Sequence, residues 1–439
     1  MKKSHYMRTI TTTVIISAFA FIALMAGNAF AQQAGVKQIS LEELWRNAGE
    51  KSPSIQARLK DVEAIEYKIK SLQKPYLPSI NADLGYSGAA NLNEFEHGPL
   101  ARLTAEWILW DGGRTMASKK ILTLSSGSVG LQGAIFAIEV KKKIAAVYYD
   151  TARLEASVAD EKKKLNNLVS LKKLLMPRLK IGKIGYSDVE DMVIRIEDTA
   201  GKIKNDELVI DYKKRQLRLL TGGDAEDPLY IPGFSVLKGV GPEIAAIKTT
   251  LTSPALILAR RQTALLEAKK EHRERELYWP VFGIELYGGY GPHRDAIDPH
   301  KPEVGAGAVF RVPIIIGGSR SAEMKSLTAE IDAAKLDLAR MEKDNKAAAD
   351  YIMKAIPAMD DRMDSLEKSV KRAEKNLTAA FNEFSRGLKS PADMITALQY
   401  LYELKSKYHD AKMEFLALKA ELFLTYGNDG LSTYDSIKN

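Results

Sequence analysis

Few residues of this chain are spaced for chemistry, and those that are point away from catalysis. His293, Asp295, Asp298 and His300 fall within eight residues, and imidazole and carboxylate groups set so closely could ligate a divalent cation. The same segment is rich in Gly and Pro and lies between two strand-like runs, where turns collect polar side chains, so it reads as a loop and not as a metal site. His272 lies in the charged run Lys269 to Glu276 and reads as solvated helix surface. Met341, Met359 and Met363 fall on heptad core positions and read as packing. The chain has no cysteine, which excludes thiol catalysis, iron–sulfur ligation, a disulfide framework and lipid attachment through an N-terminal thiol. No nucleophile elbow, phosphate loop or metalloprotease helix motif occurs. The expectation is a protein that is not an enzyme, with no catalytic residues, no cofactor and no metal.

The remaining candidates stand at helix breaks, and they come in duplicate. Gly182 is followed by Asp188, and Gly387 by Asp393; Gly112-Gly113-Arg114 recurs as Gly317-Gly318-Ser319, and each of these pairs is 205 residues apart. Ser52-Pro53-Ser54-Ile55 recurs as Ser253-Pro254-Ala255-Leu256, and Pro75 and Pro78 precede one alternating run as Pro280 precedes another. A unit written twice implies one pseudo-symmetric architecture. Gly182 and Gly387 read as helix stops in the left-handed region. Asp188 and Asp393, at the start of the next helix, read as caps of free backbone amides, a role worth about 1 kcal/mol.

The boundaries follow from composition. Residues 1–31 have a positive start in Lys2, Lys3 and Arg8, an apolar run from Val14 to Leu24 and a small-residue cleavage pattern at Ala29-Phe30-Ala31, the marks of a secretory signal. The first repeat is 32–223, an irregular connection with Pro228, Pro232, Gly233, Gly239, Gly241 and Pro242 spans 224–250, the second repeat is 251–426, and 427–439 is a tail without an apolar stripe. The formal charge of +8 falls to +5 once Lys2, Lys3 and Arg8 leave with the signal. Lysines and acids interleave as on a solvated helix face, and no nucleic-acid partner is expected.

These breaks must be positioned by very long helices. Val140, Ile144, Val147, Thr151, Leu154, Val158, Glu161, Leu165, Leu168, Lys172, Leu175 and Leu179 recur at steps of four and three, a heptad stripe broken only by Thr151, Glu161 and Lys172. The second copy carries a matching stripe from Leu327 to Phe384, with one extra four-step beside Pro357, where a local change of pitch or a kink is expected. Past Gly182 and Gly387 each pattern restarts, so each copy is a helical hairpin whose outgoing arm is about 100 Å long at 1.5 Å per residue.

The strands are few and short. Ile80, Ala82, Leu84 and Tyr86 alternate with polar or small residues, as do Leu103, Ala105, Trp107 and Leu109; the second copy gives Phe282, Ile284 and Leu286, then Ala306, Ala308, Phe310 and Val312. One apolar and one polar face suit either a half-buried soluble sheet or a membrane barrel with a wet lumen. Counting separates them. Four strands cannot close a barrel and an open edge does not survive in lipid, so entry into a membrane requires several chains to pool strands. A trimer would supply about twelve, enough for an open lumen.

The signal segment, the Ser-Pro of each copy, the proline before each strand run, the Trp110-Asp111-Gly112-Gly113-Arg114 junction and the break with Gly182 and Asp188 together resemble the TolC family of outer-membrane efflux proteins, over essentially the whole mature chain. The resemblance implies a mainly α fold with a small β part: duplicated long helical hairpins forming an α-helical barrel, and four membrane β-strands per chain pooled in a homotrimer into a twelve-stranded barrel. It implies an outer-membrane location extending into the periplasm, contact with outer-membrane lipid, and work as the exit duct of an efflux or secretion system with a periplasmic adaptor and an inner-membrane pump. The other reading of the residues is a soluble periplasmic coiled-coil scaffold or adaptor, although adaptors carry one such hairpin where this chain has two.

The resemblance also implies a gate. Its acidic ring falls on Asp393, and the position of a second acid one turn later holds Thr396. A basic latch residue falls on Lys389 with acceptors at Ser187 and Asp188, and a latch tyrosine is replaced by Phe384, which has no hydroxyl. The implied gate therefore has one acid ring and a thin latch.

Overall fold

The computed structural model describes residues 38–71, 77–90, 95–240, 252–290, 302–312 and 319–427. The signal segment, Pro75, the group from His293 to His300, Gly317-Gly318 and the tail beyond Gly427 lie outside the described residues. The elements run α1 (Leu41–Lys51), α2 (Pro53–Ser71), β1 (Ser79–Ala90), β2 (Phe95–Trp110), α3 (Arg114–Lys180), α4 (Tyr186–Leu220), α5 (Pro254–Tyr278), β3 (Val281–Tyr290), β4 (Glu303–Arg311), α6 (Ser319–Ser385) and α7 (Pro391–Tyr426). Each repeat thus gives a shorter helix, a strand pair and a long hairpin, in the same order.

Local chemistry explains the punctuation. Ser253 caps α5 by accepting the Leu256 amide, with Pro254 in the first turn, where its missing N–H costs nothing and its fixed φ suits a helix. In the first copy Ser52-Pro53 likewise separates α1 from α2. The two longest helices, α3 and α6, have 67 residues each, or about 100 Å of rise. α6 runs through Pro357 as a single element, with Ile352 and Ile356 buried beside it.

The chain forms two compact units, and neither coincides with a repeat. The first comprises Met1–Arg46, Val147–Leu219 and Gly223–Leu237. In it the far part of α3 packs along α4 through Leu154, Val158, Ile203 and Ile210. Charges flank this seam: Lys213 Nζ lies 2.8 Å from Asp150, Lys214 2.7 Å from Glu155 and Lys162 2.7 Å from Glu207. The part of the irregular connection before residue 241 is packed, since Leu229, Ile231 and Phe234 are buried and the Ile39 amide donates to the Tyr230 carbonyl at 3.0 Å. Tyr148 donates to the Ile39 carbonyl at 3.2 Å.

The second unit comprises Asn47–Ala146, Leu220–Gly222 and Lys238–Asn439. α6 and α7 pack antiparallel around Ala349, Ile352, Ile356, Leu422 and Tyr426, and further along around Ala373, Leu401 and Leu404. α5 lies on α6 with a row of ion pairs along the contact: Arg273–Glu323 at 2.6 Å, Lys335–Glu267 at 3.0 Å and Arg260–Glu342 at 2.8 Å. Exposed pairs of this kind contribute little individually, so the seam of apolar side chains carries the packing. α3 contains a stretch long and apolar enough to cross a bilayer by length and composition; Leu131, Ala134, Ala137 and Ile138 of α3 are buried.

Candidate pore-forming sheet and helix tips

The four strands form one antiparallel sheet in the order β1-β2-β3-β4. Its register stacks residues of one kind across all strands. Ile80 pairs with Ala105, which pairs with Leu286, which pairs with Ala306; the next row is Ala82, Leu103, Gly288 and Val304. On the β3 side the rows continue through Trp107, Ile284 and Ala308 to Trp110, Phe282 and Phe310, and at the other end they reach Leu84, Ala101 and Tyr290. A β-bulge at Ile108/Trp110 keeps Trp110 on the face of Trp107, where strict alternation would turn it away.

This face is a continuous apolar surface left open: Leu84 is 81%, Leu103 58% and Val304 91% exposed. Aliphatic rows occupy its middle, an aromatic row of Trp110, Phe282 and Phe310 closes one end, and Tyr290 stands at the other. From Phe282 to Tyr290 is eight residues, about 27 Å along a strand. At the 35–45° tilt of a membrane barrel that spans about 20 Å of height, close to the apolar band of about 25 Å in such barrels.

The opposite face is polar. Arg311 lies 3.0 Å from Glu106 and Arg102 3.6 Å from Glu285, and the Arg102 guanidinium lies 4.9 Å from the centre of the Tyr287 ring. Glu106 and Glu285 stand directly opposite each other, a repulsive arrangement that each arginine relieves from a different strand. β1 and β4 each have one neighbour among the described residues, so the sheet is open at both edges.

Below the sheet the chain turns into helices through a network that the sequence did not reveal. Asp111 is 7% exposed and accepts the amides of Gly113 at 2.9 Å and Thr115 at 2.7 Å, capping α3. Arg114 donates to the carbonyls of Glu276 at 3.2 Å and Trp279 at 2.8 Å at the end of α5, and Arg275 donates back to the Gly112 carbonyl at 3.1 Å. Gly112 has φ of 69°, and a Cβ there would lie 2.7 Å from that of Trp279. Each repeat's junction is thus held by an arginine of the other. The partners are more than 160 residues apart, and only the duplication of the junction motif hints at their meeting.

The hairpin tips are built alike. At the first, the Gly182 amide donates to the Leu179 carbonyl and that of Lys183 to Arg178; at the second, Gly387 donates to Phe384 and Leu388 to Glu383. This is the Schellman closure, with φ of 69° at Gly182 and 78° at Gly387. The acids that follow sit in the third position of the next helix. Asp188 accepts the Gly185 amide at 3.1 Å. Asp393 accepts both the amide and the hydroxyl of Ser390, at 2.9 and 2.7 Å, and donates its own amide to the Ser390 hydroxyl at 3.2 Å, completing a capping box. The Ser390 bonds hold the exposed Asp393 carboxyl below its ordinary pKa.

The other expected gate residues are accounted for within their own hairpins. Lys389 lies 3.1 Å from Glu383. Thr396 is exposed and donates back to the Ala392 carbonyl at 2.9 Å, and Ser187 is exposed. Phe384 is 1% exposed, part of the hairpin core. Among the described residues no group of three or more His, Asp or Glu could hold a metal.

No protein-family model matches the sequence, and no curated relative does. Solved structures do match. The outer membrane protein VceC of Vibrio cholerae superposes with a TM-score of 0.73 at 16% identity, over 88% of this chain and 96% of that one. The CmeC outer membrane channel of Campylobacter jejuni gives 0.75 at 13% identity, over 89% and 86%. The fold is that of the TolC family. The MtrE outer membrane channel of Neisseria gonorrhoeae, in its open state, extends the likeness at 0.71 and 14% identity, over 88% of each chain. A TolC-family fold across so much of the chain accounts for the duplicated hairpins and the open four-stranded sheet together.

Proposed function

We propose that this chain is an outer-membrane channel, the exit duct of a multi-component efflux or secretion system, and that it works as a homotrimer. The observation that carries this reading is the sheet: an apolar face with an aromatic row at the helix end and Tyr290 at the other, a polar face of arginine–glutamate pairs, and two open edges. Three such sheets joined edge to edge give a twelve-stranded barrel with the polar face lining a wet lumen. The soluble scaffold reading leaves Leu84, Leu103 and Val304 in water. A periplasmic adaptor and an inner-membrane pump complete the proposed system, and the role is one of conduction, not catalysis.

The test is fractionation followed by native mass measurement in detergent. The duct reading expects recovery from the outer membrane and three chains per particle. A wholly soluble periplasmic pool, or a stable membrane-inserted monomer, overturns it.

We place the gate at the tip of the second hairpin, with Asp393 as the ring acid and Thr396 one turn further on. Three converging carboxylates attract cations, and the capping bonds to Ser390 are compatible with that role because they leave the charge in place. Lys389 belongs to the latch together with Ser187 and Asp188, so in the assembled particle it exchanges Glu383 for a partner hairpin. Phe384 supports the latch from the hairpin core. In single-channel recordings Asp393→Asn should lower cation selectivity and block by multivalent cations. Unchanged selectivity with reduced helix stability would show Asp393 to be a cap alone.

A further inference from the structure

Immediately beyond the sheet the chain is basic. The last ten residues of α2 and of α5 and the first ten of α3 and of α6 contain eleven Lys and Arg against six Glu and no Asp. That surplus of five, in forty residues, equals the net charge of the entire chain after residue 31. Ten helical residues span about 15 Å, so every one of these charges stands within about two Debye lengths of the sheet's end.

Their engagement is uneven. Arg114, Arg273 and Arg275 are spent on carbonyls and glutamates of the junction. Lys68, Lys119 and Lys325 are exposed and form no ion pair among the described residues. Arg320 lies 5.4 Å from the centre of the Tyr278 ring and Lys70 5.1 Å from that of Tyr67. Beside these cations stand Trp110 and Trp279, edge to face at 6.3 Å and each roughly half exposed, with Tyr278 next to them. Indole and phenol rings followed by the exposed lysines Lys68, Lys119 and Lys325 match the depth profile of a bilayer interface, with rings at the carbonyl level and cations at the phosphates.

We infer that this collar is a docking surface for anionic glycerophospholipid headgroups in the leaflet that faces the helices. The inference rests on the proposed seat of the sheet in a bilayer and names the lipid class it prefers. The helix segments that carry these cations adjoin the strand ends, so a lipid whose chains lie on the sheet's apolar face has its phosphate at their level. A neutral headgroup would satisfy the rings and leave the surplus charge uncompensated.

The test is reconstitution of the full chain into vesicles of phosphatidylcholine alone and of phosphatidylcholine mixed with phosphatidylglycerol, with the lifetime of the assembled particle on heating as readout. The expected result is a several-fold longer lifetime in the anionic vesicles, shrinking as salt is raised. The triple variant Lys68→Gln, Lys119→Gln, Lys325→Gln should live equally long in both and match the parent in phosphatidylcholine. Equal lifetimes of the parent in the two vesicles, or a preference that survives in the triple variant, overturn the inference and leave the duct reading intact. Failure to enter either vesicle overturns the membrane reading and this inference with it.

Discussion

Lys202 reaches across the first helical hairpin to place its Nζ 2.7 Å from Glu161 Oε1, and Glu161 is only 8% exposed on a seam otherwise made of Leu, Val and Ile. An acid at a heptad core position costs stability and in return specifies register, because only one alignment of the two helices brings a cation to it. Glu161 also lies 3.2 Å from Lys164 on its own helix. Lys202→Leu should therefore cost less than about 1 kcal/mol, because Lys164 still compensates the acid and Lys202 is half exposed. Glu161→Leu together with Lys202→Leu should be neutral or stabilising. Urea unfolding of the four species in a double-mutant cycle measures this; a strongly destabilised double variant would show that the pair supplies stability and not alignment.

Much of this arrangement was legible from spacing alone. The seam residues Leu154, Val158 and Glu161 were placed by period, and period is what a long antiparallel hairpin reads out. The alternation of Leu103, Ala105 and Trp107 was equally plain, whereas the bulge that keeps Trp110 in line with them has no sequence signature beyond a run of large residues. The Arg114–Arg275 exchange was hidden because a hydrogen bond to a carbonyl carries no residue-type signal at the acceptor. Within one chain Lys389 pairs with Glu383, six residues back, along the short path that a Schellman turn offers a flexible lysine, and no residue-type signal marks that pairing.

The two faces of the sheet should respond oppositely to charge. Leu103 and Thr104 are neighbours on β2 whose side chains point to the apolar and polar faces. Leu103→Arg should impair assembly by about 2–4 kcal/mol, the cost of a cation at mid-membrane, while Thr104→Arg faces the proposed lumen and should be tolerated. The yield of heat-resistant assembled particle in outer-membrane extracts reports both. Equal yields would mean that neither face meets lipid.

Two helix-ending glycines separate conformational strain from steric strain. Gly182 and Gly222 share a left-handed φ, 69° and 72°, but a Cβ at Gly182 meets nothing within 4 Å, while one at Gly222 would lie 2.5 Å from the Lys51 carbonyl oxygen. Gly182→Ala should cost about 1–2 kcal/mol from backbone conformation alone. Gly222→Ala should cost a further 1–3 kcal/mol, because backbone must shift to relieve the contact. Thermal unfolding of the two variants ranks them, and equal losses would show that the α4 end relaxes freely away from Lys51.

Acid should loosen the first hairpin through Asp150. Burial pushes its carboxyl pKa up, but hydrogen bonds from Lys213 and Arg153 and the charges of those two groups more than offset this, so the folded-state pKa is depressed. A depressed carboxylate pKa stabilises the fold fully above the unfolded-state value, near 4, and that contribution disappears as pH falls through the lower folded-state value. Asp150→Asn should accordingly be less stable than the parent at neutral pH, with the gap closing as pH drops below about 4. Lys213→Met should show the same closing gap, since it removes the principal partner and not the acid. Chemical unfolding of the three proteins between neutral and acid pH checks this, and a gap that stays constant with pH would mean that Asp150 contributes by packing and not by its charge.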